Sequence, residues 1–203
     1  MHTVNNTKDL YPYLQRCMAM LSSSLPFVLF SGGYISEQIP LQKSLSQYYH
    51  TPMGDVFVGV LCIVGLFLFF HKNPNGREKL ALKMAGAFAI GIALLPTDNT
   101  DICQKVSILT MTGNLHLVCA IGFFLAMTYL YIFLARGKCT KDNNKHRLLY
   151  KACSSLLVLC MGFGILAHQK VLGSYFCEIR PMFIVESASI LISSIYFYIG
   201  KNY

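Results

Sequence analysis

The chain has 203 residues, of which 54% are hydrophobic and only 13% are charged. Several apolar runs are long enough to cross a bilayer, which is typical of an integral membrane protein. The net charge of +8 does not indicate nucleic-acid binding, because the Lys and Arg residues lie in short loops between apolar runs, where they orient the chain in the membrane. The sequence therefore predicts one membrane domain over residues 1–203 and excludes a nucleic-acid partner.

Six apolar runs predict an all-α bundle of six transmembrane helices. The first run follows Lys8 and Arg16 and could be taken for a cleavable signal peptide, but Pro26 interrupts it and no A-x-A pattern follows. The third run carries small residues at four-residue spacing, Ala85, Ala89 and Ala93, which predicts close helix packing and a central position. The predicted spans are about 17–33, 54–71, 80–95, 114–135, 148–167 and 182–199.

The distribution of basic residues predicts the orientation of these spans. An even number of spans places both termini on one side, and that side carries thirteen of the 17 Lys and Arg residues, with four on the other. Positive charge is enriched in cytoplasmic loops. We therefore expect both termini to be cytoplasmic, in a bacterial inner (plasma) membrane, and the two loops after Leu95 and after Ala167 to be external.

The start of the second span predicts a polar site at its outer end. Thr51 is a good N-cap and Pro52 suits the first helical position, which makes Asp55 the fourth helical residue. His50 then occupies the position before the cap, whose side chain meets that of the fourth residue. The pattern predicts that His50 and Asp55 are neighbours; the alternative is that Asp55 complements the helix dipole while His50 lies in the headgroup layer.

Two more ionisable residues are expected at the same depth. Asn114 is predicted to cap the fourth span, with His116 in its first turn, and Pro181 to open the sixth span, with Glu186 inside it. Ionisable groups within spans usually face the bundle interior. Their alternative roles are a buried hydrogen bond from Glu186 to a neighbouring Ser or Tyr, and an interfacial position for His116.

Together these side chains suggest a metal site. His50 and His116 are the predicted ligands of Zn²⁺, and Asp55 or Glu186 is the predicted general base of a hydrolase acting on a lipid amide or ester. Two hypotheses remain beside it: a small proton- or cation-coupled transporter, and a non-catalytic membrane scaffold. Membrane lipid is the expected partner, and Arg180 is a candidate contact for lipid phosphate, with Lys170.

The cysteines leave one candidate disulfide. Five of the eight lie within predicted spans and Cys139 lies in a predicted cytoplasmic loop. Cys103 and Cys177 are then the two thiols in external loops, and we expect them to form a disulfide.

The segment from Tyr48 to Gly59, with its His-Thr-x-x-x-Asp motif, followed by Gly86 to Thr97 and by Asn114-Leu115-His116, resembles a family of uncharacterised bacterial multi-spanning membrane proteins. Ser46-x-x-x-His50 and Asp55 also resemble, more distantly, the pattern of the alkaline ceramidases and progestin/adiponectin receptors. That second resemblance implies an intramembrane zinc hydrolase whose site would be completed by His116 and by Glu186 or His168, because the late His-x-x-x-His of that superfamily is absent here.

Overall fold

The computed structural model describes residues 7–71, 76–98, 110–136, 144–168 and 180–199. These residues form no strand, so the predicted all-α class is confirmed for the part of the chain that they cover. A short 3₁₀ helix, Ser46–His50, precedes the second of six long helices. The long helices are α1 (Thr7–Glu37), α2 (Gly54–Phe69), α3 (Gly76–Leu94), α4 (Met111–Arg136), α5 (Asn144–His168) and α6 (Pro181–Ile199).

Four of the six helices, α1, α4, α5 and α6, are long and apolar enough to cross a membrane. The chain is therefore an integral membrane protein. α2 is apolar but has only 16 residues, a rise of about 24 Å. α3 begins at Gly76, earlier than predicted, and its first two turns carry Arg77, Glu78, Lys79 and Lys83.

The helices form a closed ring. Each packs against its neighbours in the chain, from α1 on α2 through to α5 on α6, and α1 also packs against α6. Side chains on the bundle's outer surface include many exposed Leu, Ile, Phe and Val residues, as expected of helices that face lipid. The middle of the ring is consequently enclosed by all six helices.

α2 and α3 approach each other closely at two glycines. A Cβ atom on Gly86 would lie 2.6 Å from the backbone nitrogen of Phe69, and one on Gly65 would lie 3.0 Å from the carbonyl oxygen of Gly86. Ala85, Ala89 and Ala93 are all 0% exposed. The predicted close packing of this helix is confirmed, but the prediction that it is central is wrong, because α3 is one wall of the ring.

The cap predicted for α2 is wrong, although α2 begins at Gly54, where the second span was expected to begin. Met53, and not Thr51, precedes the first residue of α2, because residues 46–50 form the 3₁₀ helix and the chain turns before α2 begins. The Thr51 hydroxyl donates to the carbonyl oxygen of Tyr48 at 2.8 Å and accepts the Met53 N–H at 3.2 Å. The predicted pairing of His50 with Asp55 therefore loses its geometric basis.

The cap predicted for α4 is wrong, whereas the predicted first residue of α6 is confirmed. Thr110 caps α4, because its hydroxyl accepts the N–H of Gly113 at 3.0 Å, so the cap predicted at Asn114 is wrong. Asp98 strengthens this cap by accepting both the Thr110 hydroxyl, at 2.5 Å, and the Thr110 N–H, at 3.1 Å. Pro181 is the first residue of α6, as predicted, and fits there because a helix has no partner for its first N–H groups.

Candidate functional site in the centre of the ring

The centre of the ring is a cavity of about 420 Å³. Ligand pockets in proteins typically measure about 300–1,000 Å³, so the volume is sufficient for a small ligand. All six helices and the 3₁₀ helix contribute to its walls. Most lining side chains are Leu, Ile, Val, Phe, Met and Ala; the exceptions include Ser22, Ser46, Glu186, Ser189, Ser193 and Ser194.

The cavity is extended along the helix axes. Its lining runs from Phe57 to Leu68 along α2 and from Leu117 to Met127 along α4, a rise of about 15 Å on each helix, and from Met182 to Phe197 along α6, a rise of about 22 Å. A mostly apolar lining of this length suits a hydrocarbon chain that lies along the helix axes.

Glu186 supplies the single carboxyl group among the lining residues. It lies in the second turn of α6, and its Oε2 accepts the backbone N–H of Ser46, the first residue of the 3₁₀ helix, at 3.1 Å. The structure thus brings together two residues that the sequence singled out. The carboxyl group also forms hydrogen bonds with the backbone of Leu45 and with the side chain of Ser46, so the alternative role of Glu186, a buried hydrogen bond to a neighbouring Ser, agrees with the observed contacts.

A second polar feature of the cavity is Ser193. Its residue is only 5% exposed, and its buried Oγ has no hydrogen-bond partner within the described residues. Ser193 follows Glu186 by seven residues, which places both on the cavity face of α6, about 10 Å apart along the helix axis. A buried hydroxyl without a partner is costly, so this position favours a polar atom supplied by water or by a ligand.

Two residues that line the cavity are also exposed on the surface of the bundle. Ile121 on α4 and Ile165 on α5 both line it, and they are 39% and 53% exposed, respectively.

His50 and His116 lie together at the same end of the helix ring as Glu186. The imidazole of each histidine forms a hydrogen bond with a backbone carbonyl group. Nε2 of His50 is 2.6 Å from the carbonyl oxygen of Thr97, and Nδ1 of His116 is 2.7 Å from that of Leu95. Both carbonyl groups belong to the segment that follows α3. Carbonyl groups at the end of a helix have no hydrogen-bond partner within the helix. His116 is 4% exposed and lies close enough to His50 and Asp98 for their charges to interact.

The four predicted metal-site residues do not form one cluster. Asp55 is exposed in the first turn of α2, and Glu186 is bound to Ser46. Within the described residues, no three His, Cys, Asp or Glu side chains are arranged so that they could hold a metal ion. The described side chains therefore do not form the predicted cluster. Each histidine has one ring nitrogen on a carbonyl at the end of α3, Nε2 of His116 has no partner within the described residues, and no third ligand stands beside them. The zinc ion stays a prediction from sequence.

The other predicted residues have separate positions. Arg180 immediately precedes α6 in a left-handed conformation, with φ of 52°. Cys103 and Cys177, with Lys170, lie outside the described residues, as does the side chain of His168. Five cysteines in the described helices are free thiols: Cys17, Cys62, Cys119, Cys153 and Cys160.

The opposite end of the ring holds a buried polar cluster that sequence reasoning missed, formed by Tyr11, His71, Glu78 and Tyr196 and called here the His71 cluster. Tyr11 Oη is 2.6 Å from Nδ1 of His71, and Tyr196 Oη is 3.1 Å from Nε2. The Tyr196 hydroxyl donates to Oε1 of Glu78 at 3.4 Å. These contacts fit a neutral imidazole that accepts from Tyr11 and donates to Tyr196.

Burial controls the ionisation of this cluster. His71 and Glu78 are 7% and 1% exposed. Burial lowers the pKa of His71 to about 4, although the nearby Glu78 carboxylate acts in the opposite direction. In the sequence, Glu78 stands among Lys and Arg residues, as charged residues in loops often do. No feature of the neighbouring sequence indicates that its side chain is buried.

Comparison with known proteins gives a family without an assigned activity. A family model described as "Protein of unknown function (DUF998)" matches residues 27–177, which contain the 3₁₀ helix and all of α2, α3, α4 and α5. No curated protein and no solved structure matches the chain. The match covers most of the sequence and agrees with the resemblance to uncharacterised membrane proteins. The chain therefore belongs to the DUF998 family of proteins of unknown function.

Proposed function

We propose that this protein binds a lipid-like molecule with one hydrocarbon chain in the cavity at the centre of its helix ring. The observation that carries the proposal is the cavity itself, which is extended along the helix axes, mostly apolar and, among the described residues, provided with one carboxyl group, that of Glu186. Burying a hydrocarbon chain there releases water from apolar surface, and each buried CH₂ contributes about 0.8 kcal/mol.

The polar end of the ligand lies beside Glu186 and Ser46, and its chain extends toward Leu68 and Phe197. This orientation follows from the position of the carboxyl group near one end of the cavity, with Ser189 and then Ser193 as the next polar residues along α6. Entry from the bilayer past Ile121 and Ile165 is consistent with a membrane lipid as the source of the ligand.

Binding agrees better with the geometry than zinc-dependent hydrolysis does. Hydrolysis by the predicted route requires His50, His116 and a carboxylate around one ion, whereas the two histidines bind carbonyls beyond the cavity lining. We therefore retain the lipid partner that the sequence predicted and replace the catalytic role of Glu186 with a binding role.

We further propose that all six helices span the membrane, with both termini cytoplasmic in a bacterial plasma membrane. Consecutive helices that cross a membrane begin and end on alternate sides of it. The observed contacts agree with this pattern, because the start of α1, the residue after α2 and the end of α6 meet through Tyr11, His71 and Tyr196. Reporter fusions after Lys79 and after Lys145 should report a cytoplasmic location, and a fusion at Lys105 an external one. A cytoplasmic signal at Lys105 would contradict this topology.

The absence of tryptophan from the chain allows a direct test of ligand binding. In a Phe124→Trp variant the single indole lines the cavity, while in the matched Leu125→Trp variant it faces outward at a position that is 53% exposed. The probe is octadecanol brominated at mid-chain, added to each variant in nanodiscs, because bromine quenches nearby indole fluorescence.

We expect saturable quenching of the cavity indole at low probe fractions. The outward indole should show only weak quenching that rises in proportion to the probe dissolved in the bilayer. Equal, unsaturable quenching of both variants would show that the chain does not enter the cavity and would overturn the proposal.

A further inference from the structure

The charge of the cavity restricts the head group of its ligand. Among the described residues, its lining contains one acidic side chain, Glu186, and no Lys, Arg or His. Within the same residues, the contacts of this carboxyl group are hydrogen bonds with Leu45 and Ser46. An ionised carboxylate in such an apolar site is costly unless it is paired.

The basic residues near this end of the ring do not fill that role. Arg180 acts electrostatically on Tyr48, and the backbone carbonyl of Lys43 accepts the Phe183 N–H, but neither residue lines the cavity. Histidines 50 and 116 face the carbonyls at the end of α3. None of the described Lys, Arg or His residues lines the cavity, so a cationic ligand would supply the counter-charge of an ionised Glu186.

Resting on the proposed function, we infer that the ligand is a cationic single-chain amphiphile whose protonated amine forms an ion pair with Glu186. An ammonium group has three donors and no acceptor. The site offers the acceptors that such a group needs, because the carboxylate of Glu186 is accompanied by the hydroxyl oxygens of Ser46 and of Ser189, one turn further along α6.

The same arrangement discriminates against other head groups. A fatty-acid carboxylate at this position would face Glu186 across an apolar space, where like charges repel strongly. An alcohol would form a hydrogen bond without neutralising the charge. The amine adds charge–charge attraction to the hydrogen bond that the alcohol also forms, and a gain of about 1.4 kcal/mol from this attraction makes the amine bind about tenfold more tightly than the alcohol.

The experiment compares three brominated C18 chains in the Phe124→Trp background, as amine, alcohol and carboxylate, at neutral pH. We expect the amine to reach half-saturation at about one-tenth of the alcohol concentration and the carboxylate to bind most weakly. Glu186→Gln in the same background should bring the amine to the level of the alcohol. Glu186→Asp keeps the charge and should preserve the preference for the amine, which separates loss of charge from misfolding.

The outcomes distinguish this inference from the function on which it rests. Saturable quenching by all three chains with equal midpoints, or strongest binding by the carboxylate, overturns the cationic head group and leaves chain binding intact. An amine preference that survives Glu186→Gln also overturns it. Saturable quenching by none of the three chains overturns the binding function itself.

Discussion

Replacing Gly86 by alanine is expected to force α2 and α3 apart and to lower the free energy of unfolding in detergent by about 3 kcal/mol, the upper range for overpacking. The three atoms nearest the added Cβ would all be backbone atoms, those of Gly65 and Phe69. Backbone atoms of two packed helices cannot move aside as a flexible side chain can. For a chain of this size the midpoint of thermal unfolding should fall by about 6–12 °C.

Gly59→Ala is the matched control. Gly59 also lies inside a helix, α2, but a Cβ atom there has no neighbour within 4 Å. Alanine favours the helical conformation by about 1 kcal/mol relative to glycine, so this variant should be as stable as the parent or slightly more so. If both variants lose the same stability, the close approach of α2 and α3 does not determine the effect of Gly86→Ala.

Lowering the pH from 6.5 to 4 is expected to destabilise the protein through His71. Burial places the pKa of His71 at about 4 in the folded protein, below its ordinary value of 6.5. Between these two values the unfolded chain binds the proton and the folded protein does not, so stability falls as pH decreases. The difference of about 2.5 units corresponds to about 3 kcal/mol.

His71→Gln tests this assignment, because glutamine retains hydrogen-bonding groups for Tyr11 and Tyr196 but does not titrate. Thermal unfolding in detergent at pH 7, 6, 5 and 4 should show a smaller loss of stability in this variant than in the parent. His146→Gln is the control, because His146 is exposed on α5 and makes no contact with the His71 cluster. An unchanged pH dependence in His71→Gln would contradict the assignment.

The sequence by itself determined the class of the protein and part of the site. Runs of apolar residues about as long as the bilayer is thick are a local property of the chain, so membrane-spanning helices could be predicted without knowing their packing. Pro181 determined the start of α6 through its own backbone chemistry. Glu186 was recognisable because a charged residue inside an apolar run is costly and needs a specific partner.

The tertiary structure decided which groups meet, and the predictions that failed depended on such contacts. His50 bonds to Thr97, 47 residues away, and His71 to Tyr196, 125 residues away. No pattern of spacing in the sequence specifies these pairs, because they depend on the order and rotation of helices around the ring. The cavity is likewise a property of the closed ring: an apolar side chain that faces it has the same sequence pattern as one packed in a solid core, and only the positions of the other helices distinguish the two.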